Sequence, residues 1–344
     1  MDFLGFIIIC VKVLLVFTAT MLGVLGMVYA ERRVSAFIQD RVSPNRVGPK
    51  GLLQPIADGI KFLMKEDIIP DRADKPIFIL APAILLIPAL MTFAVIPFGS
   101  PITLFGREIA LQVADINVGI LYILALTSIS VYGIVLAGWS SNNKYSLLGG
   151  LRSSAQLISY ELAMGLAVVS IILLSGSLKL NDIISNQQGS FLSWNIFKQP
   201  LAFLIFLVAV YAETNRLPFD LSEAEQELVG GYHTEYSSMK FAMFFMAEYA
   251  NMITAAALTV TLFFGGWDVP LLDEGSLGIV GTIISVLSFI MKMAFFLFLF
   301  IWVRWTFPRF RYDQLMRLGW KVLLPLALVN IFLTAGYLTL QASN

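Results

Sequence analysis

Apolar residues in this chain come in long unbroken blocks, and the blocks decide its class. They fall at about 3–30, 77–98, 118–139, 156–175, 201–212, 240–266, 277–303 and 322–340. A bilayer-spanning helix needs about 20 consecutive, mostly apolar residues. The 201–212 block is short by that measure, and its helix is expected to run on through Glu213. Lipid offers no partner for open backbone groups, so segments that cross it must be helices or closed barrels. Barrel strands alternate over about ten residues, whereas these runs are continuous. The pattern predicts an all-α integral membrane protein with about eight transmembrane helices. No internal repeat and no low-complexity tract interrupts it, so residues 1–344 read as one polytopic domain.

Charge between the blocks sets the orientation. The odd-numbered loops (about 31–76, 140–155, 214–239 and 304–321) and their edges carry Arg32, Arg33, Arg41, Arg46, Lys50, Lys61, Lys65, Arg72, Lys75, Lys144, Arg152, Arg216, Lys240, Arg304, Arg309, Arg311, Arg317 and Lys321. The even-numbered loops carry only Arg107, Lys179 and Lys198. Lys/Arg-rich loops stay in the cytoplasm, so the odd loops are expected inside and both termini outside. The first block has neither a basic n-region before it nor a small-residue cleavage site after it, and is read as a retained span. The long first inside loop is amphipathic. Over 52–66, Leu53, Ile56, Ile60, Leu63 and Met64 share one helical face, with Asp58, Lys61 and Lys65 opposite and Phe62 off the stripe.

Composition then removes whole classes of chemistry. The chain is 58% hydrophobic and 13% charged, against about 25% charged in soluble domains. It contains one cysteine, Cys10, and one histidine, His233. An intrachain disulfide, a four-cysteine iron–sulfur site, a bis-histidine haem and a zinc cluster all need more. Neither a G-x-G-x-x-G loop nor a P-loop is present. No cofactor is expected on this chain, and its zero net charge gives no reason to expect a nucleic-acid partner.

Carboxylates in apolar surroundings remain. Glu161 lies in the fourth block, Glu213 closes the fifth, Glu248 lies about nine residues into the sixth, and Glu31 ends the first; Lys12 and Lys292 are also intramembrane. An ionised side chain at the bilayer centre costs roughly 2.5–3.5 kcal/mol on insertion scales. Pairing or snorkelling can explain some of these residues. A chain of buried acids is also how membrane proteins move protons. The fifth loop adds Asp220, Glu223, Glu225, Glu227 and Glu235, balanced by Arg216 alone. Leu217, Phe219, Leu221, Leu228 and Val229 are interleaved with them, which argues for a packed polar loop.

Three inside segments carry a resemblance. They read RVSPNRVGPKGLLQPIADGIKFLMKED from Arg41 to Asp67, GWSSNNKYSLLGGLRSSAQLISYE from Gly138 to Glu161, and AETNRLPFDLSEAEQELVGGYHTEYSSMKFAMFFMAEY from Ala212 to Tyr249. These resemble the H-type membrane subunit (the subunit 1 family) of proton-translocating NADH:quinone oxidoreductase, respiratory complex I, over nearly the whole chain; Ser43 stands where that family usually has glycine. The resemblance implies a subunit that forms much of a channel for a lipid quinone, with quinone as substrate. It implies that NADH, FMN and iron–sulfur clusters belong to partner subunits. Expected neighbours are the peripheral-arm quinone-site and iron–sulfur subunits, the small and antiporter-like membrane subunits, and membrane lipids.

On that footing Arg32, Arg41, Asp58, Arg216, Phe219 and Asp220 are expected to line the quinone passage at its cytoplasmic end. Glu31, Glu161, Glu213, Glu223, Glu225, Glu227 and Glu248 are expected to form a coupling relay, with Glu248 the deepest. The expected location is a bacterial inner membrane. Two alternatives stay open at this point. One is the corresponding subunit of a membrane-bound hydrogenase-type complex; the other is a stand-alone secondary transporter, a class that often shows inverted repeats.

Overall fold

The structure is a computed structural model that describes residues 3–104, 107–221, 228–270, 272 and 278–343. Among these residues it is all-α apart from one small antiparallel hairpin, β1 (Ile102–Leu104) with β2 (Arg107–Ile109). In chain order the helices are α1 (Phe3–Ile38), α2 (Gln54–Met64), α3 (Lys75–Met91), α4 (Gly119–Ser140), α5 (Lys144–Ser175), α6 (Leu180–Ser185), α7 (Asn195–Lys198), α8 (Pro200–Glu213), α9 (Ser238–Phe263), α10 (Gly278–Thr306), α11 (Tyr312–Arg317) and α12 (Leu324–Ser343). A π-helical turn, Leu318–Leu323, joins the last two.

Among the described residues, seven helical stretches are long and apolar enough to cross a membrane. The fifth expected span is the shorter apolar helix α8. It does run on through Glu213, but at 14 residues it rises only about 21 Å, against about 30 Å of hydrocarbon. Several helices also extend past their apolar blocks. α1 continues to Ile38 and so carries Glu31, Arg32 and Arg33; α5 starts at Lys144; α10 runs to Thr306. Hydropathy marks only the lipid-facing part of a helix. Nothing in these polar flanks breaks the backbone ladder, so the inside loops are shorter than their charge pattern suggested. Asn143 caps α5 by accepting a hydrogen bond from the Tyr145 N–H at 2.9 Å.

α3, α4, α5, α8 and α9 form the tightly packed centre, while α1 and α10 lean on α9. Close approach depends on small residues. A Cβ on Gly133 of α4 would meet the Leu85 nitrogen at 3.0 Å and the Ala81 oxygen at 3.1 Å on α3. A Cβ on Gly138 would meet the Ser146 oxygen on α5 at 2.6 Å. Helices in lipid gain little from apolar burial against each other, so this dispersion contact matters more there.

Both lysines of the apolar blocks find carbonyl partners. Lys12 donates to the Gln112 carbonyl at 3.1 Å. Lys292 on α10 donates to the carbonyls of Phe264, Gly266 and Asp268 at 3.0, 3.0 and 2.6 Å, just past the end of α9. It also lies 4.8 Å from the centre of the Trp194 ring. That position places a cation on the carbonyl end of a helix. The same end of the bundle is tied by Gln187, which donates to Ile183 and Thr261 and accepts from the N–H groups of Asn195 and Gly265.

Candidate functional site

At the end of the bundle that bears the odd-numbered loops, α1, α2, α9 and α10 enclose a cavity of about 460 Å³. Its apolar wall is Val24, Leu25 and Val28 of α1, Pro55 and Phe62 of α2, Phe241, Phe245 and Met246 of α9, and Trp305 of α10. Its polar wall is Glu31, Arg32, Ser35, Arg41, Asp58, Arg216, Tyr249 and Arg304. Volume and lining suit an organic ligand with a polar head and an apolar tail.

Helical spacing explains how these walls arise. α2 turns its apolar stripe outward, leaving Leu53, Ile56, Ile60, Leu63 and Met64 exposed. Phe62, off the stripe in sequence, faces the cavity with Asp58. Asp58 pairs with Arg32 at 2.5 Å and accepts from Gln54 at 3.2 Å. Arg41 binds Gln39 at 2.6 Å and Ser35 at 3.4 Å.

The polar end is organised around Arg216. This side chain is only 5% exposed, and its guanidinium bridges two carboxylates. Nη1 reaches Glu31 at 3.3 Å and Nε reaches Glu248 at 2.5 Å. Burial works against its charge, but Glu248 and Glu31 more than offset that, and its proton affinity rises. The Tyr249 ring lies 4.6 Å from the guanidinium, and the Tyr249 hydroxyl donates to Glu31 at 2.8 Å. Arg304 pairs with the same Glu31 carboxylate. One buried acid is thus held by two arginines and a tyrosine that come from three separate elements.

Beyond Arg216 the acids continue away from the cavity. A void of about 20 Å³ touches both Glu248 and Glu213, together with Asn215, Tyr232 and Asn251. A second void of about 20 Å³ touches Glu213, Thr127, Asn251 and Thr254. Each is large enough for about one water molecule. Glu213 shares a hydrogen bond with Thr127 and lies close enough to Glu161 for their charges to repel. Glu161 accepts a hydrogen bond from Ser128.

The sequence-predicted residues therefore divide. Arg32, Arg41, Asp58, Arg216 and Glu31 meet at the cavity. Phe219 and Asp220 do not line it. Phe219 is buried between Tyr160 and Phe310, and Asp220 pairs with Arg309 at 2.8 Å. Burial of this stretch inside the bundle, beneath the loop between α10 and α11, draws both away from the cavity. Glu248 is bonded to Arg216 beside the cavity, and a small void and a charge contact link it in turn to Glu213 and Glu161. Glu223, Glu225 and Glu227 lie outside the described residues. Sequence reasoning missed Tyr249, Phe62, Trp305 and the cavity role of Arg304. Tyr249 follows Glu248 directly, and that adjacency was the available signal.

His233 is the one histidine of the chain. It sits behind the cavity wall with its ring edge-on to Tyr232, Phe241 and Phe245 at 5.0, 5.2 and 5.9 Å. Burial lowers its pKa to about 4.

A sequence model of the NADH dehydrogenase family matches residues 11–335. An H-type subunit of NADH-quinone oxidoreductase from Geobacter sulfurreducens is 56% identical over 342 residues, covering 96% of this chain and 95% of that protein. The chain belongs to this family. NADH-quinone oxidoreductase subunit 8 of Rhodothermus marinus is 57% identical over 330 residues, covering 93% of this chain and 94% of its own length. An H-type subunit from Cytophaga hutchinsonii is 52% identical over 330 residues, covering 94% and 95%. As a member of the H-type family, the chain is a multi-pass membrane subunit of the NADH-quinone oxidoreductase complex, with other subunits of that complex as partners. That assignment separates it from the hydrogenase-type and stand-alone transporter alternatives.

Proposed function

We propose that the 460 Å³ cavity is the passage through which a lipid quinone reaches the rest of the complex, and that the acids beyond it couple quinone reduction to proton movement. One observation carries the reading: a single cavity has an aromatic and aliphatic wall suited to a prenyl tail and, at its inner end, Arg32–Asp58 and Glu31 between Arg216 and Arg304. A quinone taking up two electrons and two protons needs donors that stabilise charge on its oxygens and a route that supplies protons. Arginine and tyrosine supply the donors. Glu31, Glu248, Glu213 and Glu161, spaced by two water-sized voids, supply the route. A charge change at the head group alters the field at Glu31 first, then at Glu248 through the shared Arg216, and so along the line.

In this reading the electrons arrive from partner subunits that carry the flavin and iron–sulfur clusters. The exposed apolar stripe of α2 and the loops around Asp71, Arg72, Lys144 and Glu235 face the peripheral arm or the lipid interface. The antiporter-like subunits lie beyond Glu161. The membrane is the bacterial inner membrane, with both termini outside, which the distribution of Lys and Arg supports.

The experiment is photolabelling of the whole complex with an azido-quinone, combined with kinetics of Asp58→Asn and Arg304→Lys complexes. Labelling should fall on α1, α2 or α9, and both variants should weaken quinone binding. Reduction of a water-soluble acceptor by the peripheral arm is the control. Labels confined to other subunits, with unchanged quinone kinetics, would place the passage elsewhere.

A further inference from the structure

The two arginines that hold Glu31 both sit at or just beyond a helix end. Arg216 lies in the loop after α8 ends at Glu213, and Arg304 lies in the last turn of α10, which ends at Thr306. Loops and helix ends open most readily, yet both guanidiniums must meet one carboxylate. A few residues beyond each arginine the two loops are fastened together. The Phe310 N–H donates to the Pro218 carbonyl at 3.0 Å. The Phe219 and Phe310 rings stack 5.4 Å apart. Arg309 Nη2 pairs with Asp220 Oδ2 at 2.8 Å. Further contacts carry this anchor to Arg216 and to the bundle. The Phe219 N–H donates to the Arg216 carbonyl at 2.8 Å, and Gln156 of α5 donates to the carbonyls of Phe219 and Ala212 at 2.8 and 2.7 Å.

We propose that Arg309 is a positioning residue, and that its strap with Phe310 across residues 218–220 sets the separation of Arg216 and Arg304 around Glu31. Arg309 is not among the residues that line the cavity. Its effect on quinone passes through the geometry of the cavity's polar end, so the proposal rests on the quinone reading above. Loosening the strap lets the two guanidiniums drift apart. A displacement of about 1 Å at a binding site can cost up to about a hundred-fold.

The test uses the intact complex and compares KM with kcat for a short-chain quinone. Arg309→Gln removes the charge; Arg309→Lys keeps it and can still reach Asp220. The glutamine variant should raise KM about ten-fold while kcat changes less than about two-fold, and the lysine variant should restore most of the affinity. Equal behaviour of the two variants, or a loss in kcat with KM unchanged, overturns the proposal. Should Arg309→Gln fail to assemble, Phe310→Leu keeps apolar bulk but loses the ring stack, and it must raise KM in the same direction; an unchanged KM overturns the proposal. Arg304→Lys separates the two levels. If it raises KM while the strap variants do not, the strap idea fails and the cavity stands. If neither moves KM, the quinone reading itself fails.

Discussion

Replacing Arg216 by lysine and Glu248 by glutamine, singly and together, asks whether the cavity and the acid line are one device. The guanidinium spans Glu31 at 3.3 Å and Glu248 at 2.5 Å through different nitrogens. An ammonium is a single point on a flexible stem and cannot reproduce that fork. It can stay with Glu31, leaving the bond to Glu248 unmade. Hydrogen bonds to charged groups contribute about 1.5–3 kcal/mol, and at about 1.4 kcal/mol per decade this is roughly 10- to 150-fold. Glu248→Gln removes the charge from the other side of the same bond. Quinone-linked turnover and proton pumping in reconstituted vesicles should each fall by roughly 10- to 100-fold in either single variant. The double variant should be little worse than the poorer single, which corresponds to a coupling energy of about 1.5–3 kcal/mol. If the two losses multiply, leaving a coupling under about 0.5 kcal/mol, the residues act independently and the path from Glu31 through Arg216 to Glu248 is refuted.

Three further outcomes are expected. Glu213→Gln and Glu161→Gln should leave the complex assembled but lower turnover and pumping together, and either variant pumping at the full rate and ratio would assign that acid a purely structural hydrogen bond. Reporter fusions at Asn45, Asn142 and Tyr312 should read as cytoplasmic, and fusions at Gln112 and Asn186 as external; reversal at two sites would sink the topology. His233, whose pKa burial lowers from 6.5 to about 4, remains neutral in the fold while the unfolded chain takes up a proton. Its contribution is complete above about pH 6.5 and declines as pH falls toward 4, by up to about 3 kcal/mol. The loss of thermal stability of the complex between pH 7 and pH 5 should therefore shrink in His233→Phe, and an unchanged loss would show that this ring does not titrate on unfolding.

Much of this protein follows from its sequence because lipid is a strict solvent. Backbone groups in hydrocarbon must be satisfied within the segment, so blocks such as 118–139 and 156–175 had to be helices. Lys and Arg between the blocks give the orientation to be tested by the reporter fusions. The scarcity of cysteine and histidine turned attention to carboxylates and arginines, and Arg32, Asp58, Glu31 and Arg216 do meet at one cavity. What the sequence could not determine is which of those charges face one another. Hydropathy has no signal for where α1 or α5 ends once past the lipid, nor for the rotation of α2 that turns Phe62 inward and Ile60 outward. Phe219 and Asp220 looked equivalent to Arg216 along the chain. Only the loop between α10 and α11, about ninety residues away, draws them aside to Phe310 and Arg309. Charge pairing acts over a few ångströms between elements distant in sequence, so Glu31 between Arg216 and Arg304, with Glu248 on the far side of Arg216, exists only once the helices have packed.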